Sequence, residues 1–372
     1  MTGSPRRRPR ALVAAAAALT LTLTACAGGG ADAHGDGGAG STTPLSELEA
    51  VDSPRTVTGQ TTAELADDEI DPVEEGPTQT LPATVTSHDQ GGAKKVTVKD
   101  TDRVVAMDLS GSLAATIYGL GLGDTLVGRD QSTTFPGAKD LPLVTSGGHS
   151  VNAEALLKLE PTLVITDGSI GPRDVIEQLR DAGVTVVFVE NEASLDGAAQ
   201  LAEDVAAVYG VPETGEKLKQ QIADEITATK KEVAELAPDA KGDKVRMIFL
   251  YIRGNSGVYY LFGDESGADD LIDGLGGIDV ASEQGWKGQR PMTDEAITSA
   301  NPDLIFVMTG GLESAGGVDQ LLQDKPALAL TTAGKNKRFV DMADGDILSF
   351  GPRSAAVLEA LARAVYAPEG SG

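Results

Sequence analysis

The chain has 372 residues, with 30 lysines and arginines against 56 aspartates and glutamates, a net charge of −26. That balance excludes a nucleic-acid partner, because phosphate binding needs the opposite sign, and it favours a soluble monomer. One cysteine, Cys26, excludes internal disulfides, cysteine-ligated zinc and a cysteine nucleophile in the folded body, so a hydrophobic core must supply the stability.

Residues 1–25 read as an export signal. Arg6, Arg7, Arg8 and Arg10 form a basic start, and 11–23 is an apolar stretch too short for a comfortable transmembrane helix. The run Leu23-Thr24-Ala25-Cys26 resembles a bacterial lipobox. That resemblance implies cleavage before Cys26, a lipid on its sulfur and residence at the extracytoplasmic face of the cell membrane. An ordinary signal peptide that happens to contain a cysteine is the alternative. No other segment is long and apolar enough to span a bilayer, so the mature chain is expected to be tethered, not embedded. Residues 26–95 read as the lipidated cysteine and a flexible acidic linker. Gly, Ala, Thr, Pro, Asp and Glu dominate there, with few large apolar residues to offset the entropy of ordering.

From residue 96 the texture becomes that of alternating strands and helices. Residues 103–107, 125–128, 162–165 and 184–189 predict strands, with helices at 113–120 and about 175–180, which makes 96–210 one α/β lobe. Pro212 opens a run with Ile222, Ile226, Val233 and Leu236 on one helical face. The segment 211–238 is therefore a connecting helix, long enough to cross a domain. A second lobe, 239–367, has predicted strands at 245–251, 258–262, 303–308, 338–342 and 347–350 and a closing helix at 354–366. The expected fold is α/β: two Rossmann-like lobes with mainly parallel sheets, bridged by one long helix.

An internal repeat relates the halves. Asn152-Ala153-Glu154-Ala155-Leu156 precedes Glu160-Pro161-Thr162-Leu163-Val164-Ile165, and Thr293-Asp294-Glu295-Ala296-Ile297 precedes Asn301-Pro302-Asp303-Leu304-Ile305-Phe306. Each unit reads as polar cap, short helix, proline turn and buried strand.

This layout resembles the substrate-binding proteins of ABC importers, in the class whose lobes are joined by a helical backbone. The resemblance covers about residues 96–367. It implies a ligand cleft between fairly rigid lobes and one acidic residue on each lobe that meets the permease; Glu154 and Glu295 occupy those positions. A first-turn glutamate also complements a helix dipole, which is the competing explanation for each of them.

His34 and His88 fall in the expected linker, which leaves His149 as the one histidine of the folded body. That count argues against a zinc or manganese site built from several nitrogen donors. His149 follows Gly147-Gly148, in a segment open enough to face the cleft. In the second lobe, strand alternation puts Tyr251 and Arg253 on one face. A guanidinium beside a phenol favours the phenolate, a hard oxygen donor suited to ferric iron. The set resembles the haem-binding lipoproteins of the HmuT kind. By that resemblance His149 and Tyr251 are axial ligands of ferric haem carried as cargo, and Arg253 supports Tyr251. Tyr259 and Tyr260, on the next strand, are candidates to pack on a porphyrin face, and Arg353, in a Gly-Pro-Arg-Ser segment that resembles one near the family's cleft, is a candidate partner for a propionate. Surface exposure for the histidine and core packing for the tyrosine are the plainer readings. A ferric siderophore held by Arg253, Arg290 and Arg353 is the alternative cargo. An enzyme is not expected: there is no Gly-x-Ser-x-Gly elbow, no phosphate loop and no histidine beside a nucleophile, and no catalytic cofactor is implied.

Overall fold

The computed structural model describes residues 40–89, 91–146 and 149–368. The signal segment, Cys26 and the start of the expected linker lie outside the described residues. Three strands precede the first lobe: β1 (Gln60–Ala63), β2 (Ala83–Asp89) and β3 (Gly92–Val98).

The first lobe is built on β4 (Val104–Met107), β5 (Leu126–Gly128), the short pair β6 (Thr145–Ser146) and β7 (Ser150–Val151), then β8 (Leu163–Thr166) and β9 (Thr185–Phe188). Strands β5, β4, β8 and β9 lie side by side in that order, all parallel. Side chains alternate across this sheet: Val104 and Ala106 enter the central core, while Val105 and Met107 pack with Val164, Val186 and Phe188 on the other face. Both faces are covered, which explains runs apolar at every position instead of every second one.

A helix at Leu195–Tyr209 ends on Gly210, whose φ of 68° only glycine adopts without strain. The connecting helix Pro212–Leu236 follows at once, 25 residues long, or about 37 Å. Leu218, Ile222, Ile226 and Val233 are buried along it. The two helices touch closely at Gly215, where an added Cβ would come within 2.4 Å of the Ala206 Cβ. Because the central core includes this helix and residues of both lobes, lobe motion is coupled to the helix packing.

The second lobe contains β10 (Arg246–Arg253), β11 (Val258–Phe262), β12 (Ile278–Asp279), β13 (Gln289–Pro291), β14 (Leu304–Met308) and β15 (Phe339–Met342). Their order is β1–β15–β14–β10–β11–β13, with β12 paired to the start of β10. This sheet is mixed: β10, β14, β15 and β1 are parallel, whereas β11 runs against both its neighbours, β10 and β13, turned back on β10 by the tight hairpin at Gly254–Ser256. The strand expected at 347–350 is a turn instead, closed by the Ser349 N–H on the Asp346 carbonyl. The repeat is structural as well as sequential. Asn152 and Thr293 cap the helices Ala153–Lys158 and Asp294–Ala300, each accepting from the amide three residues on. Glu160 and Asn301, before the two prolines, both take left-handed φ values of 47° and 40°.

The flexible linker expected over 26–95 is corrected for residues 40–89 and 91–95, which are bound to both lobes. On the second lobe, β1 pairs in parallel with β15, Gln60 and Thr62 bond to the Asp341 carboxylate, and Arg55 pairs with Asp303 at 2.7 Å. On the first, the Ser87 hydroxyl accepts from the Phe188 amide, Asp89 pairs with Arg180 at 2.8 Å, and main-chain bonds join Val73 to Gly119 and Thr80 to Gly210. Arg338 fixes the crossing. Its buried guanidinium donates to the Thr61 hydroxyl and to the Ala364 carbonyl, and burial pushes its pKa down to about 10. Composition misled because the ordering rests on main-chain pairing and a few scattered anchors such as Leu45, Ala63 and Leu65, not on apolar content. A chain beginning at residue 96 is therefore expected to melt at least about 5 °C below one beginning at residue 40 in a calorimetric comparison. Equal melting temperatures would mean that the strap contributes nothing.

Candidate ligand site

In α/β sheets ligands gather beyond the carboxyl ends of the strands, and both donor candidates stand there. Tyr251 and Arg253 close β10 on the face that carries Phe249, with the intervening Ile252 buried on the opposite side. Tyr251 stacks on Phe262 at 6.0 Å between ring centroids and faces Tyr260 in the β10–β11 register. The Arg253 guanidinium lies 4.5 Å above the Tyr251 ring. Its nitrogens reach the Asp344 carboxylate at 3.1 Å, the Ile252 carbonyl at 2.8 Å and the Met308 sulfur at 3.9 Å. The strand end is held by Gly254, whose amide donates to the Ser314 hydroxyl at 2.8 Å.

His149 comes from the first lobe, directly before β7. It is half-buried and takes φ 69°, a left-handed conformation that costs a non-glycine residue some strain and is noteworthy at a site. Its Nε2 sits 3.3 Å from the Gln131 side-chain nitrogen, and its Nδ1 is buried without a hydrogen-bond partner. Burial pushes its pKa below the ordinary histidine value; Arg253 across the cleft pushes the same way, and Asp344 opposes them. His149 therefore faces charges of the second lobe, and it is held neutral near pH 7, with a lone pair available on the ring.

Other expected residues are dispersed. Tyr260 shares the Tyr251 face. Tyr259 does not: it packs with the opposite core under the Lys325 ammonium at 3.9 Å, because successive strand residues alternate sides. Arg353 is only 8 % exposed and is ion-paired to Asp346 at 2.9 Å beside the Phe135 ring, so it is committed to the interior and is not an open cation for a carboxylate. Arg290 lies over Trp286 at 4.5 Å, in register with Leu261 and hence on the face away from Tyr251. Glu154 and Glu295 are exposed in the first turns of the repeated helices, and neither makes an ion pair among the described residues. Sequence reasoning missed Asp344 and Gln131. The Asp344-Gly345 pair marks a turn just beyond a strand end, a signal that could have singled it out; nothing local marked Gln131.

The model of the periplasmic binding protein family matches residues 105–344. The chain belongs to that family. Its likeness to the solved haem-binding protein HmuT is close: 42 % identity over 84 % of this chain and 99 % of that one, with a TM-score of 0.79. Structures of the same protein with an arginine, a histidine or a tyrosine replaced by alanine match at TM-scores of 0.79 to 0.81, the tyrosine and arginine standing two positions apart. An ABC transporter substrate-binding lipoprotein of Bacillus subtilis is 28 % identical over 78 % of this chain and 87 % of its own length. A cobalamin-binding protein of Halobacterium salinarum is 25 % identical over 75 % of this chain and 72 % of its own. The chain is thus a substrate-binding protein of the ABC-importer type, in a family of transport proteins, not enzymes.

The cleft electrostatics are directly measurable. Proton-NMR titration of His149 is expected to give a pKa below the ordinary value of about 6.5. Arg253→Ala should raise it and Asp344→Asn should lower it further. Insensitivity to both substitutions would separate His149 from the second lobe.

Proposed function

We propose that this protein captures ferric haem between its lobes, with His149 and Tyr251 as axial ligands and Arg253 supporting Tyr251, and delivers it to an ABC permease that meets Glu154 and Glu295. A lipid on Cys26 tethers it to the membrane at the extracytoplasmic face. The observation that carries this reading is that Arg253 of the second lobe lies over the Tyr251 ring and also acts on His149 of the first lobe, whose buried Nδ1 has no hydrogen-bond partner. Neutral imidazole and tyrosine oxygen both suit haem iron. The similarity to HmuT, in which a histidine, a tyrosine and an arginine two positions beyond the tyrosine have each been replaced, adds weight. The siderophore alternative loses two of its three cations, since Arg290 faces away and Arg353 is buried with Asp346.

Haemin titration of the mature chain should produce a Soret shift. Tyr251→Ala should abolish tight binding, and Arg253→Ala should weaken it by about 10- to 100-fold, as for residues that orient a ligand. Cobalamin and ferric siderophores should fail to compete. Absence of a Soret shift, or displacement by either competitor, would overturn haem as the cargo. For docking, Glu154→Lys with Glu295→Lys is expected to leave haemin affinity unchanged and to suppress uptake by cells expressing the cognate permease. Undiminished uptake would reduce both glutamates to partners of their helix dipoles.

A further inference from the structure

Leu109 and Leu143 are the exposed large apolar side chains of the first lobe among the described residues. Leu109 follows β4 at the carboxyl end of the sheet and is 50 % exposed, although its neighbour Asp108 is fully buried. Exposure here does not come from a loose backbone. The Leu109 amide donates to the Ser169 hydroxyl at 3.0 Å, and its carbonyl accepts from the Ser132 hydroxyl at 2.6 Å. Asp108 is fixed in turn, its amide donating to Asp130 and its carboxylate accepting from the amides of Ser110 and Ser112. The backbone that carries this exposed apolar side chain is therefore fixed on both sides.

Its position follows from the same bonds. Ser132, bonded to Leu109, lies at the inner edge where the lobes meet: a Cβ added to Gly345 would come within 2.8 Å of the Ser132 carbonyl. Gly345 is next to Asp344, which acts on His149, and Gln131, next to Ser132, touches His149. Leu109 is thus tied through Ser132 to the segment that carries Gln131, the partner of His149, and that segment comes close to the second lobe beside Asp344.

We infer that Leu109 is a specificity-determining contact, an apolar platform that packs on the flat face of the bound ring system beside the His149 ligand. This rests on the haem reading of the site and adds to it a residue that acts by burying apolar surface, not by coordination. A flat macrocycle held at its iron by two donors still exposes wide apolar faces, and covering one of them favours haem over smaller or strongly polar chelates.

The test is haemin binding to the full mature chain carrying Leu109→Ala, Leu109→Met or no substitution, read as affinity, dissociation rate, Soret position and melting temperature without ligand. Leu109→Ala should weaken binding about tenfold, mostly through faster release, because roughly half a leucine side chain of burial is lost. Its Soret position and ligand-free melting temperature should match those of the unsubstituted chain, and Leu109→Met should bind within about twofold of it. Leu109→Ala binding as tightly as the unsubstituted chain would overturn the inference and leave the haem reading intact. A Soret change like that of His149→Ala would overturn it too, since Leu109 would then act by positioning the histidine. If the unsubstituted chain takes up no haemin, the haem reading itself fails and the platform with it.

Discussion

Arg253 lies 4.5 Å over the Tyr251 ring, pairs with Asp344 at 3.1 Å and lowers the proton affinity of His149 from the opposite lobe. The rest of the site is organised around that guanidinium. It is anchored by the Ile252 carbonyl of its own strand and by Met308 of the neighbouring one, so its direction is set by the sheet and not by solvent. Asp344 tempers its charge and is itself oriented by the Gly310 amide at 2.8 Å. One guanidinium thereby acts on side chains of both lobes.

Such a site demands that the lobes hold their spacing, and two devices provide for it. One is the helix Pro212–Leu236, packed into a core common to both lobes. The other is the segment from residue 40 to β3, which runs from the edge of the second sheet to the first lobe and is pinned by Arg338 and Asp341 at one end and by Arg180 and the Phe188 amide at the other. A cleft strapped on two paths favours ligand recognition by a preformed gap over large closure, since little conformational freedom remains to be lost on binding.

Much of this was legible in the chain. The repeated cap–helix–proline–strand unit was visible because each step has strong local chemistry, and Asn152, Thr293, Pro161 and Pro302 do in the structure what their types suggest. The long helix announced itself through Ile222, Ile226 and Val233. The pairing of Tyr251 with Arg253 followed from strand alternation alone, and the same rule would have removed Tyr259, had it been applied to β11 as strictly. Arg353 was misread because burial is a tertiary property: its partner Asp346 is close in sequence, but nothing local says that both are enclosed. The segment after residue 40 was misread for a similar reason. Its order comes from strand pairing with β15, nearly 280 residues away, a contact that leaves no mark on composition.

The central claim is that one iron is held from both lobes at once, and a crystal of the haem-loaded protein measured at the iron absorption edge tests it most directly. The account predicts a single anomalous peak within bonding distance of a His149 ring nitrogen and of the Tyr251 oxygen. An iron peak bonded to residues of one lobe only, or lying outside the gap between them, would contradict it.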